Sequence, residues 1–231
     1  MNHGSFLAMV YRRTDRMARR LAERHGAIIT AASQSAAQGG MAAVQIATVA
    51  SRAGIAAGTV YRYFPSKTDL VAAVVAAVAE REIGAMRRAA DAAPGPLSAL
   101  VAAVATFAAR ALADRRLAWA LLGEPVDAEA DAVRLLYRKA LAAELQSRIE
   151  RAVQERQLPA QDAGLSAAAA TGALLEGLIG PLAAEAAQGE LEPVQALTLF
   201  VLRGLGIPDA RARGLVISRT TEGARQRTEK E

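Results

Sequence analysis

Thr59, Tyr61, Arg62, Tyr63 and Lys67 crowd into one short run, Ala57-Gly58-Thr59-Val60-Tyr61-Arg62-Tyr63-Phe64-Pro65-Ser66-Lys67. Hydroxyls, a guanidinium and an ammonium of this kind donate hydrogen bonds and positive charge, and the small residues ahead of them allow a close backbone approach. The matching ligand is a polyanion. The charge distribution agrees: residues 1–67 hold nine Arg and Lys against Asp15 and Glu23, whereas the rest of the 231-residue chain is slightly acidic, for a net charge of +5. Catalytic chemistry has little to work with. The chain has no cysteine, its histidines are His3 and His25, no glycine-rich loop follows a strand, and no residue spacing suits a metal. Neither an enzyme nor a bound cofactor is expected.

The elements that must position this run are helices. Hydrophobic residues make up 52% of the chain, alanine dominates, and aromatics are only 4%; alanine favours helix because it loses no side-chain entropy there. No segment alternates like a strand. A first helix is expected from Asp15 to about Gln38, with Met17, Leu21, Ile28, Ile29, Ala32 and Ala36 on one apolar stripe. Gly39-Gly40 stops it, and two short helices follow, at about Gln45–Ala53 and Ala57–Phe64, separated by Gly54-Ile55. Ser66 is a good N-cap for a helix with Asp69 in its first turn, running to about Ala90. After the breaker Asp91-Ala92-Ala93-Pro94-Gly95-Pro96, further helices are expected at about Leu97–Ala113, Arg116–Leu122, Ala128–Gln157, Ala163–Gln188 and Pro193–Gly206. The expected architecture is all-α with about nine helices. It comprises a basic flexible arm over 1–14, a three-helix head over 15–67, a larger helical body over 68–208 and a disordered polar tail over 209–231.

The two short helices have the proportions of a helix-turn-helix. Ala50 and Ala53 are small where the second helix must cross the first, Gly54 stands at the reversal, and Ile55 and Val60 are apolar plugs five residues apart. The outward side of the second helix then carries Ala57, Gly58, Thr59, Tyr61, Arg62 and Tyr63, a surface suited to a DNA major groove about 12 Å wide. With Ile28-Ile29-Thr30-Ala31-Ala32, Gly40, Val49-Ala50, Ala53-Gly54-Ile55, Gly58 to Phe64 and Ser66-Lys67-Thr68-Asp69-Leu70 in order, residues 15–72 resemble the TetR (tetracycline repressor) family. The resemblance implies an all-helical homodimer whose head binds DNA and whose divergent body binds a small ligand.

Carried over residue by residue, the resemblance makes Gln45, Arg52, Gly58, Thr59, Tyr61, Arg62, Tyr63 and Lys67 the DNA-binding set. Gly58 would let the backbone approach DNA, Thr59 would reach a base edge or a phosphate, and Tyr61, Tyr63 and Lys67 would hold phosphates. Phe64 would wedge the head against the body. The chain departs from the family where Val44, Gln45 and Ala56 replace hydroxyl residues and Ala36 replaces an aromatic. Gln45, Arg52, Thr59 and Arg62 are left as the polar groups able to read sequence. Arg12, Arg13, Arg16, Arg19 and Arg20 form a preceding basic arm that either reaches DNA or is simply solvated.

In the body, small and apolar residues on the helices near Ala163 and Pro193 suit close helix approach. The resemblance implies a dimer interface there, for which Ala168, Gly172, Leu175, Ile179, Leu199 and Leu202 are the candidates. Trp119, the single tryptophan, with Met86, Phe107, Arg110, Tyr137 and Glu176 form the candidate ligand pocket. The expected partners are a double-stranded, palindromic DNA operator, a second copy of the chain and a small-molecule effector. No signal peptide or membrane-spanning helix is expected, which places the protein in the cytoplasm. One other reading remains open, a DNA-binding protein without an effector; a membrane-surface protein using its basic amphipathic helix would leave the helix-turn-helix without a purpose, and no membrane partner is expected.

Overall fold

The computed structural model describes the backbone of residues 3–183 and 191–228 and the side chains of residues 17–183 and 192–219. Among the described residues there are ten α-helices and no strand. They are α1 (His3–Gly39), α2 (Ile46–Arg52), α3 (Ala57–Tyr63), α4 (Lys67–Asp91), α5 (Pro96–Ala113), α6 (Arg115–Leu122), α7 (Ala128–Gln154), α8 (Ala163–Ala183), α9 (Leu191–Gly204) and α10 (Asp209–Thr228). A 3-10 turn, Met41–Ala43, joins α1 to α2.

Two sequence features start the central helix. The Ser66 hydroxyl accepts the Asp69 N–H at 3.0 Å, and the Asp69 carboxylate accepts the Ser66 N–H at 2.9 Å, a reciprocal box that satisfies two otherwise orphaned donors. From there α4 takes part in two cores in succession. Leu70, Val71, Val74, Val75 and Val78 lie in the head core with Ile28, Ala32, Val49, Val60 and Phe64, whereas Met86 and Ala90 lie in the body core with Leu100, Val104, Leu141 and Leu145. Leu117 and Ala120 of α6 and Ala130 of α7 are also packed into the head core. The expected division at residue 67 therefore marks where α4 begins, while the apolar packing runs on across it.

The far half of α4 is fixed to α7 by charge. Glu144 is buried and accepts from Arg87 at 2.9 Å and from Arg148 at 2.6 Å, while Arg148 also reaches Asp91 at 2.7 Å. A buried carboxylate held by two guanidiniums keeps its hydrogen bonds satisfied where an unpaired one would be costly. Around this frame α5 packs on α4, α7 and α9, and α8 packs on α7 and α9. Helices α5 and α8 are long and apolar enough to cross a membrane by length and composition, beyond what the sequence suggests. The apolar window of α5 is 61% buried inside the fold, as in a core helix.

Several expectations are corrected. Helix α1 starts at His3, so residues 3–14 are helical rather than a flexible arm; no glycine or proline interrupts Ser5 to His25. The side chains of Arg12, Arg13 and Arg16 lie outside the described residues, and those of Arg19 and Arg20 are exposed. Met17 and Leu21 are exposed too, because the part of α1 before Ile28 runs past the head core. The expected disordered tail contains α10. Asp209 in its first turn accepts from Arg213 at 2.8 Å and from Arg203, and Ala212 and Val216 are buried in the body core. The last turn of the helix expected to reach Gln188 lies outside the described residues.

Candidate DNA-binding face and ligand cavity

The turn between α2 and α3 closes as its residue types require. Gly54 adopts φ 66°, the left-handed region that glycine enters without a Cβ penalty, and Ile55 N–H returns to Ala50 O at 3.0 Å. Val60, at 0% exposure, and Ala50, at 3%, hold α3 across α2. Helical periodicity then leaves Ala57, Gly58, Tyr61 and Arg62 exposed on one side of α3, with Thr59 and Tyr63 half-buried at its margins and Lys67 exposed at the start of α4. Nothing lies within 4 Å of the place where a Gly58 side chain would begin, so the backbone there is open to an approaching surface.

Two of the polar candidates are engaged within the head. Arg52 donates to Gln38 Oε1 at 2.5 Å, and Gln45 Nε2 donates to Ala42 O at 2.8 Å. Both side chains are exposed, so each exchanges these bonds readily. Ala56, at the cap position of α3, makes no side-chain capping bond, as expected from the missing hydroxyl.

His25, which has no visible partner in the sequence, lies against two rings: its centroid is 5.1 Å from Phe64 and 6.2 Å from Tyr63. It braces the end of α3 from α1. Phe64 itself is buried in the head core, which includes body residues, in keeping with its expected wedging role.

A second contact that sequence reasoning missed joins head to body. Glu124, in the loop between α6 and α7, accepts the Met41 N–H at 2.7 Å. The same loop is held from behind by Arg134, which donates to Glu124 O and Ala120 O, both at 2.8 Å. Beside it the Thr68 hydroxyl donates to Asp127 at 3.1 Å, and Asp127 also caps α7 through Ala130 N–H at 2.9 Å. Gly40 (φ 72°) makes room for this clasp: a Cβ there would overlap the Glu124 carboxylate. The one sequence signal was Gly40 itself, because the carboxylate it accommodates is 84 residues away.

The body contains a small apolar cavity lined by α4, α5, α6 and α7. Its walls include Val75, Val78, Phe107, Leu117, Leu121 and Tyr137, with Glu82 and Arg110 as the polar pair. It measures about 40 Å³, space for roughly three waters. Arg110 donates to both carboxylate oxygens of Glu82, at 3.0 Å from Nη2 and through Nε, and Arg81 adds a third bond at 2.8 Å. Burial alone would raise the Glu82 carboxyl; the bonds from Arg110 and Arg81 outweigh it and hold it below the usual carboxylate value. Burial, with the Glu82 charge adding to it, pushes the Tyr137 phenol upward, so it stays neutral and able to donate.

Of the expected pocket residues, Phe107, Arg110 and Tyr137 meet at this cavity and the others do not. Met86 is fully buried in the body core, Trp119 packs against that core and over Gly123, and Glu176 is exposed on α8. The proposed interface set is likewise divided. Leu202 (0% exposed) and Leu175 (6%) are core of their own chain, and Leu199 is half-buried against it. Ala168 and Gly172 are exposed and Ile179 half-buried. The apolar groups that protrude from α8 and α9 are Leu165, at 70% exposure, and Phe200, at 63%, across a depression lined by Ala169, Ala173 and Gly204. Along α9 the inward positions are Val194, Thr198, Val201 and Leu202, with Leu205 buried just beyond its end, and the outward ones are Ala196, Phe200 and Gly204.

Residues 28–74 match the family model described as bacterial regulatory proteins, tetR family. The HTH-type transcriptional repressor KstR of Rhodococcus jostii is 48% identical over 59 residues, which are 26% of this chain and 28% of the relative. The chain thus matches little more than a quarter of that relative's length. Over most of its length the fold resembles solved structures: RolR in complex with resorcinol (TM-score 0.67, 21% identity, 86% of this chain and 95% of that one), and the fatty acid degradation regulator FadR from Bacillus halodurans (TM-score 0.70, 22% identity, 80% and 97%).

The clasp predicts a specific pattern of stability. Gly40→Ala should destabilise the chain by about 1–2 kcal/mol or more, from its left-handed φ and the overlap with Glu124. Glu124→Ala alone should cost about 1–3 kcal/mol through the unpaired Met41 N–H. The double variant should lose clearly less than the sum, because the first substitution already displaces the carboxylate. Denaturant unfolding of the four proteins checks this, and strict additivity would show that the two groups do not interact.

Proposed function

We propose that this chain, which belongs to the tetR family of bacterial regulatory proteins, is a homodimeric cytoplasmic repressor that leaves its operator when a small ligand enters the body. The observation that carries the DNA-binding part is the exposed α3 face of Gly58, Tyr61 and Arg62, beside Lys67, inside the segment that matches the family. Thr59 and Tyr63 flank it, and Gln45 and Arg52 join it on releasing their bonds within the head. Tyr61, Tyr63 and Lys67 hold phosphates and set the register of the protein on the duplex. Base choice falls to Gln45, Arg52, Thr59 and Arg62, or to DNA shape.

Two heads are needed to span two half-sites about 34–36 Å apart. A second copy fits the outward face of α8 and α9, where Leu165, Phe200 and Ala169 present apolar surface next to the close-approach positions Gly172 and Gly204. In this reading Ala168 and Gly172 remain interface residues, whereas Leu175, Leu199 and Leu202 support the interface from inside.

The cavity suits an effector because it is small and its walls are shared. Val75, Val78 and Leu117 line it and also belong to the head core. A ligand larger than a few waters must push these walls outward, and the head core moves with them. Resorcinol, the ligand of RolR, is a small ring with hydroxyl groups; Glu82, Arg110 and Tyr137 could hydrogen-bond a ligand of that type. To release DNA, such a ligand must bind the DNA-incompetent arrangement more tightly, since equal affinity for both would shift nothing.

Selection from a random pool of double-stranded DNA should enrich a palindrome with half-sites about one helical turn, or a multiple of it, apart. No enrichment, or a single asymmetric half-site, would contradict the repressor model. On the selected operator, Tyr61→Phe combined with Lys67→Ala should weaken binding to specific and random DNA alike. It should also flatten the salt dependence by about one unit of slope. Unchanged affinity would remove both residues from the phosphate-contacting set.

A further inference from the structure

A second concavity lies on the other side of Leu122, between α7 and α8. Its lining includes Leu122, Arg138, Lys139, Thr171, Leu175 and Ile179, and it measures about 530 Å³. Three observations separate it from an ordinary surface groove. The first is Thr171, which is 4% exposed and whose hydroxyl is buried without a hydrogen-bond partner. The other buried hydroxyls on helices are satisfied by the preceding turn: Ser35 donates to Ala31 O at 3.0 Å and Thr198 to Val194 O at 2.7 Å. Thr171 is the exception among the described residues, and it lines the groove.

The second observation is charge. Arg138 and Lys139 stand together on the α7 wall, and among the described residues no carboxylate is paired with either; the ion pairs of α7 are made further along it, at Glu144, Arg148 and Arg151. Arg134, one turn back, feels Arg138 as an additional positive neighbour. Glu176 contributes the one lining carboxylate, so the lining is net positive. The third observation is the floor, where Leu122, Leu175, Ile179 and Ala142 offer apolar surface.

We propose that this α7–α8 groove binds an amphipathic anion, with a carboxylate or phosphate head on Arg138 and Lys139, which the unpartnered Thr171 hydroxyl turns out of its buried position to join, and an apolar tail along Leu122, Leu175 and Ile179. Cations and a hydroxyl donor suit a carboxylate or phosphate oxygen, and the apolar floor excludes a bare inorganic ion as the best occupant. Because α8 also carries the face proposed for the second copy, the site lies at the edge of the subunit boundary. It does not depend on the DNA-binding reading, and its test needs no operator.

Titration calorimetry of the full chain with octyl phosphate, octanoate, octanol and inorganic phosphate tests it. The two anionic chains should bind at least about tenfold more tightly than octanol, and also more tightly than inorganic phosphate. Arg138→Gln with Lys139→Gln should abolish that discrimination and leave octanol binding as it was. Thr171→Val, which keeps the shape and removes the hydroxyl, should weaken octyl phosphate binding about three- to tenfold without unfolding the chain. Equal affinity for octyl phosphate and octanol would overturn the proposal. So would discrimination that survives in the Arg138–Lys139 double variant, or that disappears in Arg110→Gln instead, which would put the anion in the interior cavity.

Discussion

The structure depends on α4 burying its apolar side in two cores at once. Leu70 to Val78 complete the head and Met86 and Ala90 complete the body, so neither core is closed without this helix. Burial of a single large aliphatic side chain is worth about 1.5–3 kcal/mol; α4 contributes Leu70, Val71, Val74, Val75 and Val78 to the head core, and Met86 with the smaller Ala90 to the body core. The Ser66–Asp69 box fixes where it starts, and the buried Glu144 with Arg87 and Arg148 fixes its far half on α7. Between these anchors lie Val75, Val78 and Glu82, which line the cavity. A cavity placed at the junction of two cores can be small and still matter, because any change in its volume is felt on both sides.

The loop from α6 to α7 gives the head a second attachment. Leu117 and Ala120 pack into the head core, and Glu124 holds the Met41 N–H at the entrance to α2. Helix α3 is therefore oriented from three directions: by α2 across the Gly54 turn, by α1 through His25 against Phe64 and Tyr63, and by α4 through the shared core. Of the two attachments from the body, α4 lines the cavity, and the Glu124 loop follows directly on Leu121 and Leu122, which line it too. Close packing of this sort transmits a change in volume rather than absorbing it.

What could be read from the sequence was local. The turn at Gly54, the plugs Val60 and Ala50, the cap at Ser66 and the boundaries of α2 to α7 within a few residues follow from residue types a few positions apart, whereas the start of α1 at His3 and the whole of α10 did not. Gly40 could be recognised as a helix stop, but not its partner Glu124, because only the folded chain brings them together. Periodicity identified a stripe on α1 but not how far the head core extends beneath it, so Met17 and Leu21 came out exposed. On α8 and α9, where small and apolar residues occur on every side, no stripe distinguishes inward from outward, and Leu175 and Leu202 belong to the core rather than to the outer face. Trp119 drew attention by being the single tryptophan, yet the cavity is built from Phe107, Tyr137 and the Glu82–Arg110 pair, and Glu82 had no sequence feature to mark it out.

The central claim is that the head shares its core with α4 and α6 and so does not open by itself. Native-state hydrogen exchange resolved along the chain measures this directly. The account predicts one opening free energy for the protected amides of α3, the Val74–Val78 stretch of α4 and the buried positions of α6. Exchange of α2 and α3 at a clearly lower free energy, with α4 and α6 still protected, would show a head that opens independently and would contradict it.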